Sequence, residues 1–369
     1  MYFKVKDVVG NASEISNLEI IGSYSIDGDR RYCNDLSQLK YYREPPDITN
    51  VDFDLNRNKD TIFKCEDDTK IDHILRWMSD HFDLLKIEDA NYSRRWLQPE
   101  IVLFRGVLRK LFLTPYERSE GWIICASKFK GTIYLCGFDT EETIRRAMKQ
   151  SHYAKASTAW GYKFEQYMLS DNPNTDPNID APLNQNEEFC CMFKSQFDNI
   201  VLLYGAEMDG VISQETVKDT VAGKEIKFIE LKTVHEKDLK HGKVQTFIKI
   251  MRWWCQSYLV GIREVICGVK NYEGRVREIK KVKVDAYHRI KSSEERCKNF
   301  ASKFLEHIKE VVREEHDKCL YQFTYCPGTN RIQVQEIEPH PELPYTFLHT
   351  WYTKKANDHF ANLQFSTNK

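Results

Sequence analysis

The chain holds 11 cysteines but no Cys-x-x-Cys pair, so a zinc site of the common spacing is not expected. No apolar run approaches the roughly 20 residues that cross a bilayer, which excludes a helical membrane anchor. The opening stretch, Met1 to Asp7, is charged and lacks the apolar segment of a secretory leader. Neither sign of charge dominates: 54 Lys and Arg face 55 Asp and Glu, for a net charge of −1. That excludes a polycation of the histone type and confines any nucleic-acid site to a local basic groove. Glycine (16) and proline (11) are sparse among 369 residues. With no repeat and no low-complexity tract, collagen-like and linker-like chains are excluded as well.

What is present is a globular composition, 41% hydrophobic and 30% charged, with 12% aromatics that favour a packed core with sheet content. Several of the cysteines fall in apolar runs, such as Ile124–Cys125, Leu135–Cys136 and Ile266–Cys267. They read as buried thiols in a reducing compartment. The expectation is a monomer of the nucleus or cytoplasm, neither secreted nor membrane-bound.

Residues 1–60 read as mostly irregular. Apolar spacing predicts helices over about Asp68–His81 and Pro99–Leu113, and a hairpin follows with strands at Trp122–Cys125 and Thr132–Leu135 around Gly131. Glu141–Leu169 reads as helical in two pieces, and Ser170–Glu187 as a surface loop. Strands are predicted at Val201–Ile212 and Glu225–Thr233, and a helix at Val244–Val260. A hairpin is predicted around Tyr272-Glu273-Gly274, then a helix at Cys297–Glu315 and a last hairpin at Pro327–Asn330. Helices and strands alternate without a strict βαβ rhythm. This points to an α/β fold of the mixed α+β kind, with central mixed sheets flanked by helices.

Strand side chains alternate faces, so Glu207 and Asp209 in Gly205-Ala206-Glu207-Met208-Asp209-Gly210 are expected to share one. Glu230 and Lys232 in Phe228-Ile229-Glu230-Leu231-Lys232-Thr233 share another. If the two strands are neighbours, three carboxylates and an ammonium cluster. Such hard oxygen ligands suit Mg²⁺ or Mn²⁺, which lower the pKa of bound water and clamp oxygens at phosphorus. The lysine would then position the water or neutralise charge on the phosphate. A lone E-x-D is commonly just a wet strand face. Here both motifs sit among apolar residues, and E-x-D followed by E-x-K is the signature of PD-(D/E)XK-type nuclease cores. In the helix Val244–Val260, the tryptophans Trp253 and Trp254 read as core. Gln256 in the same apolar turn needs a polar partner. Arg105 alone reads as structural.

At these residues the sequence resembles the decapping exoribonuclease (DXO) family. Phe104-Arg105-Gly106, with Thr114-Pro115-Tyr116-Glu117-Arg118 and Glu120-Gly121-Trp122, resembles the family's arginine motif. Gly161-Tyr162-Lys163-Phe164-Glu165 resembles its second motif, and the E-x-D and E-x-K segments resemble the third and fourth. Lys249 to Ser257 is similar to its lysine–tryptophan–glutamine motif, and Pro344–Leu348 with Trp351-Tyr352 to its tail. The resemblance implies one PD-(D/E)XK-like domain at 21–355, between an N-terminal segment at 1–20 and a tail at 356–369. It implies hydrolysis at RNA 5′ ends: removal of incomplete or noncanonical caps (unmethylated caps, NAD caps, 5′-triphosphates), in many members with 5′→3′ degradation. By that resemblance two divalent ions, Mg²⁺ or Mn²⁺, would be held by Glu165, Glu207, Asp209, Glu230 and the Leu231 carbonyl. Glu207, Lys232 and Gln256 would contact the scissile phosphate and water. Arg30, Phe104, Arg105, Gly106 and Cys190 would line the RNA or cap pocket.

Thr69 stands where relatives often carry an acid, with Asp67 and Asp68 nearby, so that role stays unassigned. The basic N-terminal extension of some relatives is missing, and Lys280-Lys281-Val282-Lys283 is a meagre nuclear signal. The alternative reading is a catalytically weak RNA-binding scaffold that works through a partner 5′→3′ exoribonuclease, as some fungal relatives bind one. No docking surface for such a partner stands out.

Overall fold

The computed structural model describes residues 1–6, 13–57, 61–62, 69–88, 95–149, 151–240, 244–284, 288–340 and 342–366. The principal strands are β1 (Ile15–Ile26), β2 (Ile101–Phe104), β3 (Trp122–Phe129), β4 (Thr132–Phe138), β5 (Glu188–Phe197) and β6 (Ile200–Glu207), followed by β7 (Gly210–Ile212), β8 (Lys227–His235), β9 (Glu264–Lys270), β10 (Arg275–Lys283), β11 (Leu320–Tyr325) and β12 (Arg331–Ile337). The principal helices are α1 (Asp72–Asp80), α2 (Arg105–Leu113), α3 (Glu141–Met148), α4 (His152–Met168), α5 (Val244–Tyr258), α6 (His288–Val311) and α7 (Thr350–Ser366).

Among the described residues the strands form two large sheets. One runs Tyr2–Lys4, β12, β11, β3, β4, β2, β6, β5, β1, Tyr32–Cys33; the other runs Leu169–Ser170, Tyr41–Tyr42, β7, β8, β9, β10, Phe53–Asp54. Both are mixed. β2 lies parallel to β4 and β6, and β8 lies parallel to β9. Strands covered on both faces need no alternation, and Ile101, Val102 and Leu103 are all fully buried.

The helices cover these faces. Leu108 and Leu111 of α2, Met251 and Trp254 of α5, and Phe300 and Phe304 of α6 join Ile124, Leu202, Val234 and Cys267 in one core. On the opposite face of the larger sheet, Trp77 and Met78 of α1 pack with Tyr352 and Phe360 of α7. A third core places Trp160 and Phe164 of α4 on Leu231 and Ile266. Each such side chain removed from water contributes roughly 1.5–3 kcal/mol.

Several expectations are corrected. The described residues of 1–60 are mostly irregular, as expected, but the twelve residues of β1 were missed and form an inner strand of the larger sheet. Pro99–Leu113 is not one helix: Ile101–Phe104 is a strand and the helix begins at Arg105. The helix expected at Cys297–Glu315 occupies His288–Val311. The first helix starts at Asp72, with Asp67 and Asp68 outside the described residues. The boundary expected at 355 falls inside α7, where Ala356 and Phe360 are buried. Lys280–Lys283 forms part of β10, as the predicted hairpin around Gly274 implied. The Gly131 turn has Lys130 at φ 47° and Gly131 at φ 80°, the paired left-handed conformation of a tight hairpin.

Candidate active site

The site forms where the two sheets meet. β6 ends at Glu207, whose side chain is exposed. Met208 then turns inward, its N–H on the Phe189 carbonyl at 2.9 Å, and the chain crosses into the other sheet at Gly210. Glycine eases the crossing at 210, because a Cβ there would stand 2.6 Å from Leu169 Cδ2 and 3.1 Å from the Lys40 carbonyl, so the leucine would have to move. Glu207 and Asp209 are therefore not alternate residues of one strand, as strand periodicity suggested. They flank a crossover and still reach the same cleft. Nor are β6 and β8 hydrogen-bonded neighbours; β7 makes the link, with Gly210 opposite Ile229. The Leu231 N–H donates to Asp209 Oδ2 at 2.5 Å, which sets Leu231 beside that carboxylate.

Glu165 arrives from α4. A cleft of about 450 Å³ opens between α4, the 170–187 loop and the end of β6, lined by Glu165, Glu207 and Asp209 together with Tyr162, Gln166 and Glu188. Glu230 lies beneath, with no exposed surface. Its Oε1 accepts from Gln256 Nε2 at 2.6 Å and from the Lys232 ammonium, and its Oε2 faces Arg105 Nη1 at 3.4 Å. Arg105 also donates to the carbonyls of Glu207 at 2.9 Å and Gln256 at 3.5 Å, tying three segments together.

The electrostatics separate the acids. Burial, then the charges of Asp209, Glu207 and Glu230, push the Glu165 carboxyl well above its usual range, against the pull of Lys232. Burial and Glu230 push Asp209 up to about 6. Burial would raise Glu230 too, yet Lys232 and Arg105 outweigh it and hold the carboxyl low. Lys232 loses to burial but gains more from Glu230 and Asp209, so its ammonium is held firmly charged. The open carboxylates thus repel one another, and the buried one is neutralised by cations.

The remaining candidates sit around this centre. Cys190 is buried opposite Glu207 in the β5–β6 ladder. Arg30, at φ 64°, is paired with Glu188 at 2.8 Å and donates to the Asn186 carbonyl at 3.0 Å, so it braces the cleft rim rather than lining the cavity. Phe104 caps the end of β2 opposite Gly205, and Gly106 faces open space. Trp253 and Trp254 are both in the core. The residues that sequence reasoning missed are Tyr162 and the loop wall. Tyr162 and Leu169 stand at i−3 and i+4 from Glu165, and both line the cleft, so helical spacing around the glutamate was the available signal. The wall is pinned by Lys163 Nζ on the Ile179 carbonyl at 2.7 Å and Gln166 Nε2 on the Ala181 carbonyl at 3.1 Å.

A mixed sheet carrying E-x-D and E-x-K, with a helical glutamate above them, defines a nuclease of the PD-(D/E)XK class. Residues 18–353 match the family described as RAI1 like PD-(D/E)XK nuclease, and the chain belongs to that family. It is 31% identical over 350 residues to the human "Decapping and exoribonuclease protein", covering 90% of this chain and 84% of the relative. The rat protein of that name is 30% identical over 355 residues, covering 93% and 86%. Among solved structures, Scheffersomyces stipitis Rai1 with (3′-NADP)⁺ and calcium superposes at TM-score 0.78 and 18% identity, over 97% of this chain and 100% of that one. Candida albicans Rai1 with pU5-Mn²⁺ gives 0.79 at 16%, over 97% and 99%.

Proposed function

We propose that this protein is a divalent-metal-dependent hydrolase of RNA 5′ ends, removing unmethylated caps, NAD caps or 5′-triphosphates, with 5′→3′ exonuclease activity on the exposed strand. One observation carries the reading: the open acids Glu165, Glu207 and Asp209 line one cleft directly above a buried Glu230 already neutralised by Lys232 and Arg105. Seven acids and one lysine, Lys40, line the cleft, so a polyanionic RNA end is disfavoured there unless cations intervene. Mutually repelling hard oxygen donors, some pushed up by their neighbours, are the donor set that Mg²⁺ or Mn²⁺ takes. We assign the ions to Glu165, Glu207, Asp209, Glu230 and the Leu231 carbonyl, with two ions as the working number. Among the described residues no three acid, histidine or cysteine side chains stand close enough to cage an ion as they are placed. For Glu230 to ligate, Lys232 or Gln256 must release Oε1.

Bound ions supply an activated water and charge neutralisation at phosphorus. The chain's own groups do the rest. Lys232, freed from Glu230, holds charge at the scissile phosphate. The Gln256 amide orients the nucleophilic water. Arg105 keeps Glu230, the β6 end and α5 in register. Arg30 braces the cleft rim through Glu188, and Cys190 supports Glu207 from the neighbouring strand.

The deciding experiment is a panel of 5′-modified RNAs with product analysis, with and without Mn²⁺. The expected result is Mn²⁺-dependent release of a cap nucleotide or dinucleotide, leaving a 5′-monophosphate, and its loss in Glu207→Ala/Asp209→Ala. Turnover retained in that variant would refute the site. Binding without Mn²⁺-dependent turnover of any substrate would support the scaffold reading instead.

A further inference from the structure

Three residues beyond Lys232, roughly 10 Å along the strand, β8 ends at His235 beside Lys270 of the parallel strand β9. Ligands of open α/β sheets collect at the carboxyl ends of parallel strands, and the side chains gathered here have no part in the site above. Lys270 is 4% exposed. Its ammonium donates to Ser157 Oγ at 2.8 Å and lies 4.6 Å from the centre of the Trp160 ring, with no carboxylate in ion-pair distance among the described residues. A buried charge held only by a hydroxyl and a ring is costly, and packing alone gives no reason to keep it.

Two more ammonium–ring pairs stand beside it. Lys237 lies 5.0 Å over Tyr272, and Lys249, partly exposed with its ammonium 3.7 Å from Asp238 Oδ2, lies 5.7 Å over Trp253. Tyr272 is 59% exposed and rests on the His235 ring at 3.9 Å between centroids. Lys249, Lys232, Lys270 and Lys280 all act on the Cys267 thiol against its burial, with Asp238 3.7 Å from Lys249 and Glu278 3.2 Å from Lys280. Lys249 shares a face of α5 with Gln256, two turns or about 10 Å away along the axis, so the basic row starts at the reacting centre and leads outward. Basic residues interleaved with aromatic rings make a binding surface for single-stranded nucleic acid, where bases stack and phosphates are neutralised.

We propose that the carboxyl ends of β8 and β9 form a track for the RNA strand downstream of the cut, with a base stacked on Tyr272, phosphates taken by Lys237 and Lys249, and Lys270 supplying unneutralised charge from beneath. This rests on the RNA 5′-end reading of the cleft. It adds that affinity grows with RNA length until the strand has passed Tyr272.

The test uses Tyr272→Ala and Lys237→Ala, both exposed positions outside the catalytic machinery. Fluorescence anisotropy with 5′-phosphorylated oligouridine, without divalent ions, reads binding alone. Tyr272→Ala should weaken binding about tenfold, the loss of one stacked base. Lys237→Ala should lower the slope of log affinity against log salt by about one phosphate contact. KM for a long capped RNA should rise in both variants, while kcat/KM for a capped dinucleotide stays unchanged. Wild-type affinity and salt slope in both variants would overturn the track. If wild type hydrolyses no 5′-modified RNA, the reading of the cleft fails, and the oligouridine measurements still decide on the track.

Discussion

Gln256 Nε2 and the Lys232 ammonium converge on the same atom, Oε1 of Glu230, while Arg105 faces its other oxygen. A carboxylate with no exposed surface is tolerable only in such company, and the company is tolerable only with the carboxylate. Glu230→Gln leaves the buried Arg105 and the partly buried Lys232 facing a neutral amide. It should cost about 3 kcal/mol of stability and abolish turnover. Gln256→Ala removes one neutral donor and should cost about 1 kcal/mol, with kcat falling more than KM rises. Urea unfolding with steady-state kinetics separates the two variants, and equal stability losses would count against the buried-charge account.

The open carboxylates make the opposite prediction. Asp209 is pushed up by burial and by Glu230, so ionising it opposes folding when no cation is present. Asp209→Asn keeps an acceptor for the Leu231 N–H and removes the repulsion. The metal-free variant should melt about 2 °C above wild type. Mn²⁺ at about a hundred times its Kd should add about 2.7 kcal/mol to the wild type and much less to the variant. Calorimetry with and without Mn²⁺ checks both signs.

Glycine at 268 matters through the helix above it. A Cβ there would stand 2.6 Å from Cε2 of Phe164, the residue before Glu165. Gly268→Ala should lift α4 from the sheet, cost about 1–3 kcal/mol, and carry Glu165 away from Asp209. Adding Phe164→Leu should restore stability and part of the activity. If the double variant is no better than the single one, steric displacement is not the cause.

The chemistry was more legible in the sequence than the scaffold holding it. E-x-D and E-x-K lie in short motifs, the helical glutamate came only with the family resemblance, and the structure gathers Glu165, Glu207 and Asp209 on one cleft above Glu230. The elements that failed were those whose pattern is ambiguous. Ile101 to Phe104 is a buried run, which periodicity cannot assign to strand or helix. Its apolar positions also continue smoothly into the helical spacing of Val107, Leu108 and Leu111. Asp209 sat two residues from Glu207, which suggested one strand face, while the structure turns the chain between them. Arg105 on Glu230 spans 125 positions. No local pattern carries that pairing, so the arginine read as an ordinary helix residue.

Lys270 gives a pH test with a definite sign. Burial depresses its ammonium to about 8, with Lys249 adding repulsion from α5, while Cys267 of β9 and Asp238 before α5 act the other way. Ser157 and Trp160 of α4 and His235 of β8 complete its surroundings. In the unfolded chain the group stays charged to about 10.4. Below pH 8 both states hold the proton and the folded state bears the full penalty. From about pH 8 to 10.4 only the unfolded state holds it, so stability rises with pH. Lys270→Met removes the penalty, and at pH 7 the variant should be more stable by about 1–2 kcal/mol, discounted for solvent screening. The advantage should shrink as pH climbs through that window. The same variant should bind long oligouridine more weakly than wild type. A stabler protein with poorer RNA affinity is the outcome expected if the buried ammonium is kept for binding rather than for folding. A variant that is stabler and binds as before would leave Lys270 out of the track.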